Sequence, residues 1–162
     1  MKEIPLTRGQ VALVDDRDYP NLVQWKWCAR WSVHLRCFYA GRGIRRNGQH
    51  REIKMHRQIC GLDFGDKRQV DHIDHNTLNN CRSNLRVCTH AENLRNMAKH
   101  KKNTSGHKGV SWSKDKECWR AEIRANNKHI FIGWFQILED ACEAYRETAK
   151  RIHGEFVFKE VA

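Results

Sequence analysis

The sequence predicts an α+β protein assembled from small antiparallel sheets. Three observations carry that reading. Alternating strand-like runs fill the first 65 residues, a polar turn-rich stretch follows, and the last third holds three short strand patterns and one amphipathic helix. At 162 residues, with 40% hydrophobic and 30% charged residues, the composition is globular and suits one domain or a few small modules. Thirty Lys and Arg against nineteen Asp and Glu give a formal charge of +11. That balance favours a polyanionic partner, nucleic acid first and an anionic membrane surface second. No basic amphipathic helix with a clean apolar face supports the membrane alternative.

No apolar run approaches the roughly 18 residues of a membrane span, and "MKEIPLTRGQ" lacks the apolar core of a signal peptide. The expectation is a soluble intracellular protein. Its seven cysteines form no CxxC pair, which reads as free thiols in a reducing compartment. Cys81 and Cys88 stand seven apart without a matching second pair, so no zinc is expected.

In the β-rich segment 1–65, "QVALVDD" is a strand ending in acidic turn residues, and "QWKWCARW" alternates Trp25 and Trp27. The tryptophans are expected in the core rather than as base-stacking platforms. "RCFYAGRGIRRNGQHREIKMHR" folds back at Asn47-Gly48, a strong hairpin signal. Arg42, Arg45, Arg46, Arg51 and Lys54 decorate that hairpin, either as a solvated face or as a phosphate-contacting ribbon.

Residues 70–93, "VDHIDHNTLNNCRSNLRVCTHAEN", crowd three histidines, three carboxylates and five asparagines together. The stretch is either a structural polar loop or a site that pairs a base with a hard cation. Phosphodiester hydrolysis needs both: a histidine to take a proton from water near neutral pH, and a divalent ion on oxygen ligands to stabilise the departing oxygen. "QVDHI" and "LRVC" read as strands flanking a loop, and "THAENLRNMAKH" as a helix. Thr89 and Glu92 have the spacing of a capping box at its start. Asp74 and Asn76 suit side-chain to backbone turn bonds, and His75 tolerates a left-handed conformation. Regular alternation would send Asp71 and His72 to opposite faces, so an irregular strand is expected if both serve one site.

The last block, 107–158, follows a basic linker at 99–106. "KGVSWS", "CWRAEIRA" and "HIFIGWF" are strands, the last two joined at "NNK". "LEDACEAYRETAKRIHG" is a helix with acids at its start, bases at its end and Gly154 as its stop. Strand parity puts Arg120, Glu122, Arg124, His129 and Phe131 on an outer face, and Trp119, Ala121, Ile123, Ile130 and Ile132 toward the helix.

Two family resemblances join these readings. "GHKGVSWSKDKECWRAEIRANNKHIFIGWFQILEDACEAYRETAKRIHGEF" resembles the plant APETALA2/ethylene-response-factor DNA-binding domain, through Lys-Gly-Val, Trp-x-Ala-Glu-Ile-Arg, Ile-Gly-x-Phe, Glu-x-Ala-x-x-Ala-Tyr and His-Gly-Glu-Phe in order. The resemblance implies that a three-stranded sheet on a helix reads duplex DNA with its outer face. Lys108, Ser111, Ser113, Glu122, Arg124, His129, Phe131 and Tyr145 occupy matching contact positions, with Arg120 beside them on that face. Several arginines of the family are Ser, His or Phe here, so its base preference is not carried over.

"VDHIDHNTLNNCRSNLRVCTHAEN" resembles the ββα-metal finger of HNH nucleases, in the subgroup found in phage and intron homing endonucleases. The shared pattern is Val-Asp-His-Ile-Asp, Asn-Asn, Asn-Leu-Arg and a final Asn. By that resemblance His72 is the general base, Asp71 and Asn93 hold one magnesium or manganese ion, and Asn84 braces the loop and orients the histidine. His90 competes with Asn93 for the last position. The finger is assigned to 66–98, and the expected partner is double-stranded DNA in the cytoplasm of a bacterial or phage-infected cell. One finger in a monomer would nick, whereas a double-strand break needs a dimer or sequential nicks. The alternative is a non-catalytic DNA-binding regulator; the intact set Asp71, His72, Asn84 and Asn93 favours the enzyme.

Overall fold

The computed structural model of the protein describes residues 1–96, 103–125 and 128–157. Residues 97–102 fall outside this range, taking with them the end of the expected finger and half of the expected linker. Asn126 and Asn127 of the "NNK" turn and Phe158 at the end of the last module also lie outside it. Helices combine with small antiparallel sheets, so the fold class is α+β. Among the described residues no helix is long and apolar enough to cross a membrane. The chain divides into two compact units, Met1–Asn93 and Leu94–Glu160.

In the first unit, β1 (Lys2–Pro5) pairs antiparallel with β2 (Val11–Val14), and α1 (Tyr19–Val23) follows with a proline in its first turn. The strands β3 (Cys28–Ser32), β4 (Cys37–Arg46) and β5 (Gln49–Lys54) form a sheet in that order. Asn47 (φ 50°) and Gly48 (φ 75°) both adopt the left-handed conformation that a tight hairpin turn requires. The chain passes from β5 directly into α2 (Met55–Ile59). It then forms the hairpin β6 (Gln69–His72) and β7 (Leu85–Cys88), and enters α3 (His90–Asn96).

One core joins most of these elements: Ile4, Val14, Leu22, Trp27 and Met55 pack with Val70 and Leu85. Residues 1–93 make one compact unit. Expectation differs from structure at the tryptophans. Trp27 is buried and donates its indole N–H to the Leu22 carbonyl at 2.9 Å, but Trp25 and Trp31 are exposed. "QWKW" precedes β3 instead of forming it, because α1 turns the chain there.

In the second unit, β8 (Val110–Ser113), β9 (Cys118–Ala125) and β10 (Lys128–Phe135) form an antiparallel sheet in the order β10-β9-β8, and α4 (Leu138–His153) packs on it. Val110, Ala121, Ala141 and Cys142 form the core with Trp119, Ile132, Phe135, Leu138 and Tyr145. Gly109, at φ 72°, lies so close to the Tyr145 ring that any Cβ there would collide with it. A β-bulge between Phe131 and Gly133 shifts the register, pairing Trp134 with Arg120. Unbroken alternation would have put Trp134 with the inward set; the bulge moves it to the outer face beside Phe131.

Lys108 is partly buried, its ammonium donates to the Arg95 carbonyl at 2.7 Å, and burial lowers its pKa from 10.5 to about 8. Because the folded value lies below the unfolded one, burying the charged form opposes folding at neutral pH. Stability of this unit is expected to rise as pH climbs from about 8 toward 10.5, and Lys108→Met should abolish that rise. Unfolding midpoints measured across the window check this.

Candidate active site

The polar stretch is organised by its own asparagines. Asp74 Oδ1 accepts the Asn76 N–H at 2.8 Å, Asn76 Oδ1 accepts the Leu78 N–H at 3.1 Å, and Asn79 donates its amide to Asp74 Oδ2 at 2.8 Å. His75 sits at φ 62°, the left-handed conformation this turn requires. Asn84 clamps the loop at both ends: its Oδ1 accepts the Asp74 N–H at 2.9 Å, and its Nδ2 donates to Asp74 Oδ1 and the Asn79 carbonyl, each at 2.8 Å. These bonds hold the Asp74 carboxyl below its ordinary pKa even though burial opposes them.

The β-rich segment fastens this loop from outside. Leu13 donates its N–H to the Leu78 carbonyl at 2.9 Å, and Asn80 donates its own to the Leu13 carbonyl at 2.8 Å. The Thr77 hydroxyl donates to the Phe38 carbonyl at 2.5 Å. Arg82 reaches both oxygens of Asp18 at 2.8 Å. No sequence pattern announced these contacts, since each joins residues at least 39 apart.

The strand β6 pairs in regular register, Asp71 with Arg86 and His72 with Leu85. The expected irregularity is absent, and the two residues face opposite sides. On one side, Arg86 donates to Asp71 Oδ2 from Nε at 2.8 Å and Nη2 at 2.6 Å, with both side chains nearly buried. The same side carries Gln69, whose Oε1 accepts the Asn93 amide at 2.7 Å and whose Nε2 contacts His90 Nδ1 at 3.1 Å. On the other side, His72 is 5% exposed and packs edge-on against His56 and Tyr39, with ring centroids 5.1 and 6.1 Å away.

Burial lowers the pKa of His72, opposed by the neighbouring Asn80 side chain and by the Asp74 and Asp71 charges. His56 is pushed well below the ordinary histidine value, first by burial, then by His72, Lys54 and Arg57. Neutral rings are thus favoured at pH 7. His56 and Asn80 escaped the sequence reading: "KMHRQ" offered one histidine with no pattern, and Asn80 looked like turn material but is fully buried.

The capping box forms as its spacing suggests. Thr89 donates its N–H to Glu92 Oε2 at 2.7 Å, and Glu92 returns its N–H to Thr89 Oγ1 at 3.2 Å. Thr89→Ala is expected to lower stability by about 1 kcal/mol, and Thr89→Ser to restore most of it. Urea unfolding followed by circular dichroism provides the measurement.

Asp71 and Asn93 are hard oxygen donors, and the Asn93 Nδ2 bond to Gln69 leaves Oδ1 as that side chain's atom for a cation. Magnesium takes few protein ligands and completes its shell with water and substrate oxygens. Both side chains carry the oxygen-donor type such an ion takes, with Asp71 Oδ2 engaged by Arg86. Among the described residues no group of three His, Cys, Asp or Glu is arranged to hold a metal.

On the outer face of the second unit's sheet, Arg124, His129 and Phe131 are exposed, with Ser111 and Ser113 along β8. Arg120 pairs with Glu122 at 2.6 Å. Phe131 lies 5.4 Å from Trp134, whose ring also carries Lys116 at 4.7 Å. Tyr145 instead packs in the core, and Lys108 spends its ammonium on a main-chain carbonyl.

Comparison with known proteins places this geometry in a family. Residues 54–95 match the family described as HNH endonuclease, a span that includes His56 and α2 as well as the hairpin. Protein 3.8 of Escherichia phage T7 is 44% identical over 87 residues, covering 54% of this chain and 71% of that protein. An uncharacterized HNH endonuclease of Acanthamoeba polyphaga mimivirus is 29% identical over 153 residues, covering 92% of this chain and 74% of that one. No solved structure matches, and no match reports an APETALA2/ethylene-response-factor domain in the C-terminal unit. The family match over the buried histidine pair and its asparagine-clamped loop, together with the phage relative, shows that this chain belongs to the HNH endonuclease family.

Proposed function

We propose that the protein is a metal-dependent DNA endonuclease that nicks one strand at the β6–β7 hairpin and is held on duplex DNA by its C-terminal sheet. The single observation that carries this reading is His72, a buried ring biased toward its neutral form at the end of β6, within electrostatic reach of Asp71 and Asp74. His72 is the general base. It takes a proton from a water that attacks phosphorus, and the P–O3′ bond breaks; the departing 3′ oxygen takes a proton from solvent water, leaving 5′-phosphate and 3′-hydroxyl ends. His72 ends its strand, and Asp71 precedes it with its side chain on the opposite face. Asp71 and Asn93 would hold one magnesium or manganese ion, whose charge stabilises the leaving oxygen when bound. Asn84 keeps the loop after His72 in one conformation through its bonds to Asp74 and Asn79.

The C-terminal sheet is assigned as an APETALA2/ethylene-response-factor-like reader of duplex DNA, with Arg124, His129 and Phe131 on the contacting face. Replacing Arg124 with alanine is expected to weaken DNA binding and to lower the salt slope of the binding constant by about 1. Titrations at several salt concentrations measure it, and an unchanged slope would count against that face. Phage-associated or homing mobility in a bacterial cytoplasm is the setting this pairing of modules suits.

A non-catalytic DNA-binding regulator is the competing reading, favoured by the Asp71–Arg86 pair that engages the would-be metal ligand. Relaxation of supercoiled plasmid with magnesium, with manganese and with chelator separates the two. Nicks that form only with metal support the enzyme. Tight gel-shift binding with no cutting under any metal supports the regulator.

A further inference from the structure

We infer that the cleft between the β4–β5 hairpin and the loop after α2 binds a phosphate of the DNA strand beside the bond that is cut. The choice of DNA as ligand rests on the nuclease reading; the anion site itself stands on the following geometry. The cleft has a volume of about 460 Å³ and is lined by Arg42, Lys54, Ile53, Leu62 and Phe64 among others.

Arg42 is the unusual group. Its guanidinium carbon lies 4.1 Å from the Trp25 ring centroid and 5.5 Å from that of Trp27, and its Nε and Nη2 both donate to Gln58 Oε1, at 3.3 and 3.1 Å. Among the described residues no carboxylate pairs with it. A partly buried cation held by a neutral amide and two rings has a fixed orientation and an unbalanced charge, and a phosphate supplies the missing anion. Burial lowers its pKa, which is the electrostatic sign of that imbalance.

Lys54, at the end of β5, lines the same cleft and likewise has no carboxylate partner among the described residues. Its ammonium lies 4.9 Å from the Tyr39 ring, and that ring packs on His56 and His72, so the cleft adjoins the proposed base. Of the acids in the lining, Glu52 is paired with Arg30 at 3.1 Å, leaving Asp63 against the cations. At the rim, Arg46 and Arg51 lie 5.9 and 5.7 Å from the Phe64 ring. The apolar stretch of Ile53, Leu62 and Phe64 suits the sugar that follows a bound phosphate.

The test compares the full-length chain with Arg42→Gln, Lys54→Gln and Arg42→Lys in duplex-DNA binding, in chelator so that nothing is cut. Each glutamine variant should lose affinity by about 5- to 10-fold at moderate salt and flatten the salt slope by about 1. Arg42→Lys, which keeps charge but loses the planar fork, should fall between. In plasmid nicking, KM should rise while kcat holds. Folding of each variant is checked by circular dichroism, and Lys54→Gln, at an exposed position, reads the cleft even if Arg42→Gln does not fold. Folded variants that keep wild-type affinity and slope overturn the proposal. So does Arg42-dependent binding of inorganic phosphate with DNA affinity untouched, which would assign the cleft to a free anion. If the wild type nicks nothing under either metal, the nuclease reading fails, yet the chelator experiment still decides the cleft.

Discussion

Replacing His72 with alanine is expected to lower metal-dependent nicking by about 10²- to 10⁴-fold, the usual contribution of a positioned general base. Loss should fall on kcat, because in the proposed mechanism the ring serves the attacking water and not the DNA backbone that sets affinity. His72 is 5% exposed and packs on His56 and Tyr39, so the substitution also leaves a cavity, and the protein must be shown to remain folded. The informative outcome is a folded variant with wild-type gel-shift affinity and no cutting. Cutting at full rate in that variant would remove His72 from the chemistry.

The second large effect is expected at Arg86. Its guanidinium and the Asp71 carboxylate form an ion pair whose side chains are only 10% and 8% exposed. Breaking a buried pair from one side strands a charge in a low-dielectric setting, and Arg86→Ala should destabilise the first unit by about 3–5 kcal/mol. Asp71→Asn combined with Arg86→Met removes both charges and should recover much of that loss. A second readout joins stability to function. Magnesium or manganese should raise the unfolding midpoint of Arg86→Ala more than that of the wild type, because a bound cation replaces the missing guanidinium against Asp71. Equal shifts in both proteins would argue that Asp71 does not face the metal.

The polar stretch yielded its structure to sequence reading unevenly, for physical reasons. Asx turns and a capping box are local: donor and acceptor lie two or three residues apart, so spacing alone implies the bond. Thr89 with Glu92, Asp74 with Asn76, and the left-handed His75 belong to this class. Asn80 shows the limit. It has the same residue type and neighbourhood as the turn asparagines, yet it is fully buried, bonds to β2 and neighbours His72, partners that only folding supplies.

By itself the sequence determined the α+β class, the β6–β7–α3 order, and the three strands and helix of the C-terminal unit. All of these rest on periodicity, short-range capping and turn chemistry, or motifs contiguous in the chain. Tertiary structure alone decided that residues 1–93 share one core, that His56 stands against His72, that Arg86 holds Asp71, and that Trp134 joins Phe131 across a bulge. Each of these joins groups distant in sequence or depends on a register shift. A local pattern carries no record of such pairings, because their energy comes from burial and charge compensation that exist only once the chain has closed on itself.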